Sequence, residues 1–382
     1  MFDSRHYVPI LKWKRAEMNA LKMIKKENKE YITPLVQLVM PSVYLYKKEN
    51  GKNVRKSSEE MLAEKVTKFK KNKINKIPEE ILQSWGTTPI FLDVSLLYDD
   101  QSTTELKVNS LKEIILNGTE NGLNLIPVIH LDDDLQIRKM ACLLAKKFNS
   151  GLCLRLVYPN LIDMRQLDKN ITELITQEEL NINDMDLLVD IKEIDDNDQK
   201  YINYLNVSQK IPGILEWRTF IFASGSFLKD LSNCKRDEEK NVPRLDWINW
   251  LGLIDKNLKR NPTFADYTVQ HPIYEESSQF FHPSASIKYT LEDEWLIMKG
   301  RRQEYDNYLA HAAVLVRDER FYGKDFSDGD RYILEKAEHF QKYMIEKKKR
   351  HDIGKTGNPA TWLQAFINHH ITLVAHQIAN LP

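Results

Sequence analysis

The chain has 382 residues, of which 42% are hydrophobic, 10% aromatic and 29% charged. This composition supplies a sizeable apolar core and excludes a globally disordered protein. Lysine and arginine together number 55, as do aspartate and glutamate. The zero net charge provides no overall field for nucleic acid or an anionic membrane, so an ionic partner must be recognised locally.

The cysteines and the N-terminal segment indicate the cellular setting. Cys142, Cys153 and Cys234 are odd in number and widely spaced, without a CxxC pair or a metal-ligand cluster. We therefore expect a reduced, cytoplasmic protein. The first apolar run is short and has charges on both sides, which is typical of neither a signal peptide nor a membrane span. We expect no membrane contact, and no pattern in the chain indicates a cofactor.

Eight short apolar runs recur along the first 270 residues and predict β-strands. They lie at 7–11, 34–40, 89–94, 124–129, 151–157, 186–191, 216–223 and 264–270. The segments between them have helical spacing, as at 13–29, 103–117, 135–149, 164–176, 198–208 and 245–258. Strands that are buried on both faces of a parallel sheet read as continuous apolar runs. The alternation predicts an α/β fold, a (β/α)8 TIM-like barrel.

Two segments depart from the βα pattern. A lysine-rich insertion at 47–76 contains Ser57-Ser58-Glu59-Glu60, a capping box that opens a helix. We interpret it as a solvated excursion on the barrel rim; nucleic acid binding there is the less favoured alternative, because few aromatic residues interleave the lysines. Residues 273–382 predict a hairpin of 285–289 opposite 295–299 and helices at 332–349 and 361–378, which form a cap packed on the 1–272 barrel.

Polar residues near the ends of the predicted strands are candidates for catalysis. In a parallel barrel the C-terminal ends of all strands meet at one face. The catalytic candidates are Asp93, Arg155, Asp190 and Asp266. Carboxylates can exchange protons when neighbours shift their pKa, and arginine can hold an anion. The structural alternative is that Arg155 and Asp190 form a buried ion pair, while Asp93 and Asp266 cap loops.

A second set of residues is predicted to bind a ligand at the same mouth. These candidates are Lys12, Lys14, His130, Arg218, Ser224, Gly225 and His271. The small loop at 224–226 could cradle a phosphate with its N–H groups, although a tight turn is the favoured interpretation. His130 precedes Asp132-Asp133-Asp134, which fits the first turn of a helix better than a metal site. We therefore assign no metal ligands.

The C-terminal helix carries a stripe of large side chains. Trp362, Phe366, His369 or His370, and Leu373 share one face, which predicts core packing. His370 and His376 are six residues apart and do not match the i, i+4 spacing of a helical zinc site.

Several segments together resemble the bacteriophage beta-protein family over the whole chain. They are YVPILKWKRAEMNAL at 7–21, FLDV at 91–94, GLCLRL at 151–156, FADYTVQHP at 264–272, ASIKYT at 285–290, FYGKDFSDGD at 321–330 and NPATWLQAFINHHITLV at 358–374. Lys288 stands where the family pattern has arginine, and Asp246 stands near a family glutamate. The resemblance implies a role in phage–bacterium conflict, with a neighbouring effector as a possible partner, and implies no catalytic residues.

Three functions follow as hypotheses, and whether the chain is an enzyme stays open. The leading one is a component of phage–bacterium conflict, in antiphage defence or as its phage counterpart, that binds a phosphorylated or nucleotide-like ligand at the barrel mouth. The alternative is a non-catalytic scaffold or sensor that docks a partner effector protein through 47–76 or 273–382. The second alternative is a metal-dependent hydrolase.

Overall fold

The computed structural model describes residues 2–100, 102–195, 198–236, 238–254, 256–275, 283–346 and 356–381. The strands in chain order are β1 (Tyr7–Lys12), β2 (Leu35–Gln37), β3 (Tyr46–Glu49), β4 (Lys52–Arg55), β5 (Ile90–Asp93), β6 (Leu125–His130), β7 (Leu152–Val157), β8 (Met185–Glu193), β9 (Thr219–Gly225), β10 (Glu239–Pro243), β11 (Thr263–Asp266), β12 (Ile287–Thr290) and β13 (Glu294–Met298).

The helices surround and extend these strands. They are α1 (Arg15–Lys22), α2 (Lys26–Lys29), α3 (Ser58–Asn72), α4 (Ile77–Ser84), α5 (Thr103–Glu120), α6 (Leu135–Phe148), α7 (Met164–Gln177), α8 (Asp198–Ser208), α9 (Leu245–Leu253), α10 (Asp306–Leu315), α11 (Asp328–Glu346) and α12 (Pro359–Ala379). Among the described residues, none of these helices has the length and apolar character needed to cross a lipid bilayer.

Eight parallel strands close a barrel, so the predicted (β/α)8 fold is confirmed. Their order around the barrel is β1-β11-β9-β8-β7-β6-β5-β2. Alternate residues of each strand face opposite sides. Val8, Phe91, Cys153 and Leu188 belong to an apolar cluster that fills the lumen, whereas neighbours such as Leu11 pack outward under the helices. Burial on both sides explains why these strands are almost entirely apolar.

Some predicted boundaries were wrong for identifiable reasons. The helix predicted to stop before Gly118 continues to Glu120, because this glycine allows close packing: a Cβ there would lie 2.6 Å from Leu125 Cδ1. The eighth barrel strand ends at Asp266 rather than near residue 270, since Thr268 turns the backbone at φ +58°. The seventh begins at Thr219 instead of residue 216.

The insertion at 47–76 contains an element that the sequence did not predict. β3 and β4 pair antiparallel and turn through Asn50 and Gly51, both at positive φ, as a tight hairpin turn requires. The predicted capping box at the start of α3 is present: the Glu60 N–H donates to Ser57 Oγ at 3.1 Å, and the Ser57 N–H donates to Glu60 Oε2 at 2.8 Å.

The C-terminal region packs directly against the barrel. β12 and β13 form the predicted antiparallel hairpin, and β10 joins them on the other edge of β13. Helix α12 packs against α1, α11, β1 and β12. β10 therefore ties the two parts into one sheet, and the division into a 1–272 barrel and a 273–382 cap stays a prediction. Residues 347–349 of the helix predicted at 332–349 lie outside the described residues.

Candidate functional site

Three of the predicted catalytic residues meet inside the barrel mouth. Arg155 donates from Nη1 to Asp93 Oδ2 and from Nη2 to Asp190 Oδ2, both at 2.5 Å, and from Nη2 to the Tyr267 hydroxyl at 2.8 Å. The Tyr267 hydroxyl donates to Asp190 Oδ2 at 2.6 Å, and Lys192 Nζ lies 2.9 Å from the same oxygen. We call these five residues the lumen cluster.

The lumen cluster holds its carboxylates in the ionised form. Burial by itself raises the pKa of Asp93, but the neighbouring His130 ring and the Arg155 guanidinium hold that pKa well below its ordinary value. Burial also opposes ionisation of Asp190, whereas the charges of Lys192 and Arg155 and the Tyr267 hydroxyl hold its pKa low. Since Asp93, Arg155 and Asp190 are all 0% exposed, their charges compensate each other inside a filled lumen.

Asp266, the fourth catalytic candidate, lies outside this cluster. It accepts hydrogen bonds from the Tyr7 hydroxyl at 2.6 Å and from the Thr268 N–H at 3.0 Å. Its Oδ2 lies 2.7 Å from His370 Nε2 on α12. Because side chains alternate along a strand, Asp266 faces the outer layer while Tyr267 faces the lumen. Asp266 therefore joins the barrel to the C-terminal helix.

A second buried histidine completes this contact. His369 Nδ1 lies 2.8 Å from Asp330 Oδ2, and its Nε2 lies 2.8 Å from the Thr290 carbonyl oxygen. Thr290 Oγ1 in turn lies 3.0 Å from His370 Nδ1. Both histidines are 0% exposed, so the predicted packed face of α12 is present and is fastened by two histidine–aspartate pairs.

Arg218 is not part of the mouth. It precedes β9, at the end of the barrel where the strands begin, and donates from Nε to Asp186 Oδ1 at 3.0 Å and from Nη2 to Asp186 Oδ2 at 2.5 Å. Its guanidinium occupies the space beside Gly151, whose Cβ, if present, would lie 2.0 Å from Arg218 Nη1. The structure thus gives Arg218 a contact at the opposite end of the barrel.

The small loop at 224–226 is already occupied by protein groups. The Ser226 N–H donates to Asp246 Oδ2 at 3.3 Å. The Gly225 carbonyl accepts from the Ile194 N–H at 3.1 Å, and the rings of Tyr267 and Pro272 cover this glycine. Ser224 is 1% exposed. The turn interpretation therefore describes this loop better than a phosphate cradle.

His130 and the aspartates that follow it serve the start of α6. Asp133 Oδ2 accepts from the His130 N–H at 2.8 Å, and Asp134 Oδ1 accepts from the Gln136 N–H at 2.8 Å as the N-cap. His130 Nε2 lies 3.7 Å from Asp93 Oδ2. In the part of the chain that the structure describes, no group of three or more such side chains is placed to hold a metal ion.

A large cleft opens beside the barrel mouth, between the barrel and the C-terminal region. Its volume is about 1200 Å³. The described residues that line this mouth cleft are Lys12, Lys14, Arg15, Ala16, Glu17, Lys229, Asp230, Leu231, Ser232, Arg236, Gln270, His271, Ile273, Tyr274, Glu275, Pro283, Ser284, Ser286, Lys288, Lys299, Gly300, Arg302, Tyr308, Pro359, Ala360, Leu363 and Phe366. Lys12, Lys14 and His271 are thus brought together as predicted candidates, whereas the opposite wall was not predicted.

Three lysines in the mouth cleft contact aromatic rings. Lys12 Nζ lies 4.7 Å from the centre of the Tyr267 ring, Lys14 Nζ lies 4.6 Å from that of Tyr274, and Lys288 Nζ lies 4.8 Å from that of Phe227. Among the described residues, none of the three ammonium groups forms an ion pair with a carboxylate within 4.0 Å. Their positive charge is therefore available to a bound anion.

Burial weakens the proton affinity of two of these lysines. Lys12 is 3% exposed, and desolvation together with the charges of Lys192 and Arg155 lowers its pKa to about 7. Lys12 Nζ also donates to the His271 carbonyl at 3.3 Å. Desolvation lowers the pKa of Lys288, on β12, to about 8. Each wall of the cleft thus carries one amine that titrates near neutral pH.

A buried acid lies on the same side of the cleft as Lys12. Glu17, in the first turn of α1, is 1% exposed, and desolvation raises its pKa. Its Oε1 accepts from Gln270 Nε2 at 2.9 Å, while its Oε2 has no hydrogen-bond partner among the described residues. Glu17 was not predicted as a site residue, because it belongs to no motif and the apolar spacing of α1 indicates only the burial of its neighbours.

Comparison with known proteins gives a family and a fold. The family model described as Beta protein matches residues 7–376. No curated protein matches. A variant of the tryptophan synthase alpha-subunit from the hyperthermophile Pyrococcus furiosus is similar at 14% identity and a TM-score of 0.37, covering 70% of this chain and 90% of that one. A second variant has 12% identity and a TM-score of 0.35 with the same coverage.

A GH138 enzyme targeting pectin rhamnogalacturonan II is also similar, at 10% identity and a TM-score of 0.28, covering 69% of this chain and 46% of that one. At this level of similarity neither relationship bears on activity. The assignment of the fold rests on the strand order of the barrel itself.

Proposed function

The chain belongs to the Beta protein family, and we propose that its mouth cleft binds a phosphorylated or nucleotide-like ligand in the course of phage–bacterium conflict. One observation carries the proposal. Of the described residues that line the cleft, eight are lysine or arginine and three are aspartate or glutamate. A concave surface with such an excess of one charge concentrates ligands of the opposite charge.

The partners of these cations support an anionic ligand. Lys229 is paired with Glu275 at 2.6 Å, and Lys299 donates to two carbonyl oxygens. Lys12, Lys14 and Lys288 instead rest on ring faces. Lys12 and Lys288 are also desolvated. An incoming anion stabilises such ammonium groups most, because the ligand replaces both the lost hydration and the absent counter-charge.

The end of a long helix adds to this potential. Pro359 and Ala360, in the first turn of α12, line the cleft. A helix N-terminus carries a partial positive charge, which favours phosphate and carboxylate groups. Aromatic residues such as Tyr274 also lie in the wall and supply a surface on which a base can stack.

The cellular context comes from the family resemblance. Relatives in phage genomes and mobile bacterial regions favour a role in phage–bacterium conflict. The three cysteines are free and buried, which supports a reduced, cytoplasmic setting.

Thermal unfolding with added anions tests the proposal. Pyrophosphate, AMP and ATP should each raise the melting temperature above that seen in sodium chloride of equal ionic strength. In Lys288→Met the affinity should fall about tenfold, the loss expected for ~1.4 kcal/mol of charge interaction. Lys169→Met, at an exposed position of α7, is the matched control and should bind as the wild type does. If no anion stabilises the wild type beyond the salt control, the proposal fails.

Partner docking is a second candidate function. Tyr44 and Tyr46, which begin the β3–β4 hairpin, are 73% and 57% exposed, and Lys52 and Arg55 lie on the same hairpin. Exposed aromatic and cationic residues together fit an acidic partner effector protein. Replacing both tyrosines by serine should then abolish the protection of bacteria against phage in a plaque assay, while the mouth cleft still binds anions. If the double variant protects as well as the wild type does, this candidate is wrong. It is also wrong if the wild-type hairpin binds nucleic acid and the double variant loses that binding instead.

A further inference from the structure

The mouth cleft contains the parts of an amine catalyst. We infer that Lys12 attacks the carbonyl group of an anionic aldehyde or ketone bound in this cleft and forms an imine with it. The inference rests on the proposed anion-binding function, since the surrounding cations would hold the substrate. It adds a reaction class that ligand binding alone does not require.

The position of Lys12 suits a nucleophile. It ends β1 at the barrel mouth, and its ammonium contacts only the Tyr267 ring and the His271 carbonyl among the described groups. A lysine becomes nucleophilic when it loses its proton, which desolvation and neighbouring cations promote. With a pKa of about 7, Lys12 is neutral in roughly half of the molecules at pH 7, whereas an ordinary lysine is neutral in roughly one molecule in 2,500.

Glu17 supplies the proton that the reaction needs. Lys12 and Glu17 line the same cleft and influence each other's pKa. The Oε2 atom of Glu17 is buried and has no hydrogen-bond partner among the described residues. Because burial raises the pKa of this carboxyl group, it retains a proton at a higher pH than an exposed glutamate does and can act as a general acid.

The reaction is balanced without an oxidant or reductant. The nitrogen lone pair of Lys12 attacks the carbonyl carbon, forming the C–N bond as the π electrons of the C=O bond pass to oxygen. One of the two nitrogen protons then moves to that oxygen, which gives a neutral carbinolamine. The C–O bond then breaks as Glu17 protonates the departing hydroxyl group, which leaves as water. The nitrogen lone pair forms the C=N bond, and the proton lost from nitrogen restores Glu17.

Lys288 is the natural comparison within the same cleft. It is desolvated and rests on the Phe227 ring, but only burial shifts its pKa. Among the described groups, no carboxyl is placed to influence it as Glu17 influences Lys12. Lys288 therefore has the reduced charge of Lys12 without the accompanying acid, and we expect it to bind anions rather than to react.

Reductive trapping with two aldehydes tests the inference on the full chain. The protein is incubated at pH 7 with pyridoxal 5′-phosphate or with pyridoxal, which lacks the phosphate, and is then reduced with borohydride. Peptide mass spectrometry locates each label. We expect Lys12 to be labelled about fivefold faster than Lys288, because its neutral fraction at pH 7 is larger by that factor. Glu17→Gln should slow this labelling while the thermal shift produced by pyrophosphate persists.

The outcomes separate the two proposals. Preferential labelling of Lys12 by pyridoxal without any advantage of the phosphate would retain the reactive amine and overturn the anionic ligand. Thermal stabilisation by pyridoxal 5′-phosphate without preferential labelling of Lys12 would retain ligand binding and overturn the imine. Lys12→Arg keeps the charge and cannot form an imine, so it should lose the label but keep pyrophosphate binding. Lys169→Arg, on α7 outside the cleft, should keep both.

Discussion

Replacing Arg155 by methionine is expected to destabilise the barrel strongly. The guanidinium is 0% exposed and is the common partner of Asp93 and Asp190, which are also 0% exposed. Methionine fills a similar volume but removes the cation that these two buried carboxylates share, while Asp190 keeps Lys192 at 2.9 Å and Asp93 keeps the His130 ring at 3.7 Å. Removing one partner of a buried ion pair typically costs about 3–5 kcal/mol. That is a large part of the roughly 5–15 kcal/mol by which a domain is stable.

The pH dependence identifies the cause of this loss. In the wild type, both carboxylate pKa values are lowered, so their stabilising effect is present above pH ~4, the unfolded value, and is lost as pH falls further. In Arg155→Met both carboxylates lose this partner, so their pKa values should rise and they should take up protons as pH falls from 7 to about 4.5. The difference in unfolding free energy between the two proteins should therefore shrink over that range.

Urea-induced unfolding followed by tryptophan fluorescence measures these free energies. Lys169→Met is the control, because the Lys169–Glu173 pair spans 3.8 Å between side chains that are 65% and 51% exposed. Such a surface pair contributes less than about 0.5 kcal/mol. If Arg155→Met unfolds within about 1 kcal/mol of the wild type at pH 7, or if the difference is the same at pH 4.5, the lumen cluster does not stabilise the barrel by charge compensation.

Three further predictions concern packing and the mouth cleft. Gly225→Ala should lower the free energy of unfolding by about 1–3 kcal/mol, because the added Cβ would lie 3.1 Å from ring carbons of Tyr267 and Pro272. The control is Gly252→Ala, which has open space around it and should lower the free energy of unfolding by nothing measurable. Sulfate, whose charge is constant from pH 6 to 9, should bind more weakly by calorimetry as pH rises, since Lys12 (pKa about 7) and Lys288 (pKa about 8) then lose their protons; an affinity that increases with pH would contradict both assignments. Lys192→Met should raise the pKa of Lys12, because the Lys192 charge lowers it. The pH at which reductive trapping of Lys12 is half-maximal should then rise. If this pH does not change, the Lys192 charge does not lower the pKa of Lys12.

The barrel could be predicted because the apolar sequences of its strands follow directly from their burial on both faces. β5, with the sequence IFLD, is buried along its whole length, and such runs recur between segments of helical spacing. Closure of parallel strands was then enough to bring Asp93, Arg155 and Asp190 together, although they are far apart along the chain. What the sequence left open was whether those groups face a ligand or one another.

The face on which Asp266 lies could not be read from the sequence. The run at 264–270 fits a longer strand, but the observed strand stops at Asp266 and turns at Thr268. Side chains alternate with a period of two, so an error of one residue exchanges the lumen for the outer face. Tyr267, one residue on, is the group that enters the lumen cluster.

The mouth cleft depends on contacts between distant segments. β10, with the polar sequence EKNVP, gives no strand signal and is held by its pairing with β13. That sheet sets the position of Lys288 on β12, and α12 supplies another part of the wall. The residue pattern within one segment does not show which distant segment it will pack against. The cationic wall opposite Lys12 could therefore not be predicted from the sequence.

The strand-end charges and the mouth cleft divide the barrel mouth into two electrostatic environments. The lumen cluster neutralises its own charges, and all of its members except Lys192 are buried, whereas the cleft retains an excess of cations. Lys12 belongs to both, since it rests on the Tyr267 ring and lines the cleft. The charges of Lys192 and Arg155 lower its pKa. Lys192 can therefore control the charge and reactivity of Lys12 without touching a ligand, so a shifted pH profile of Lys12 trapping on its replacement would identify a positioning residue rather than a catalytic one.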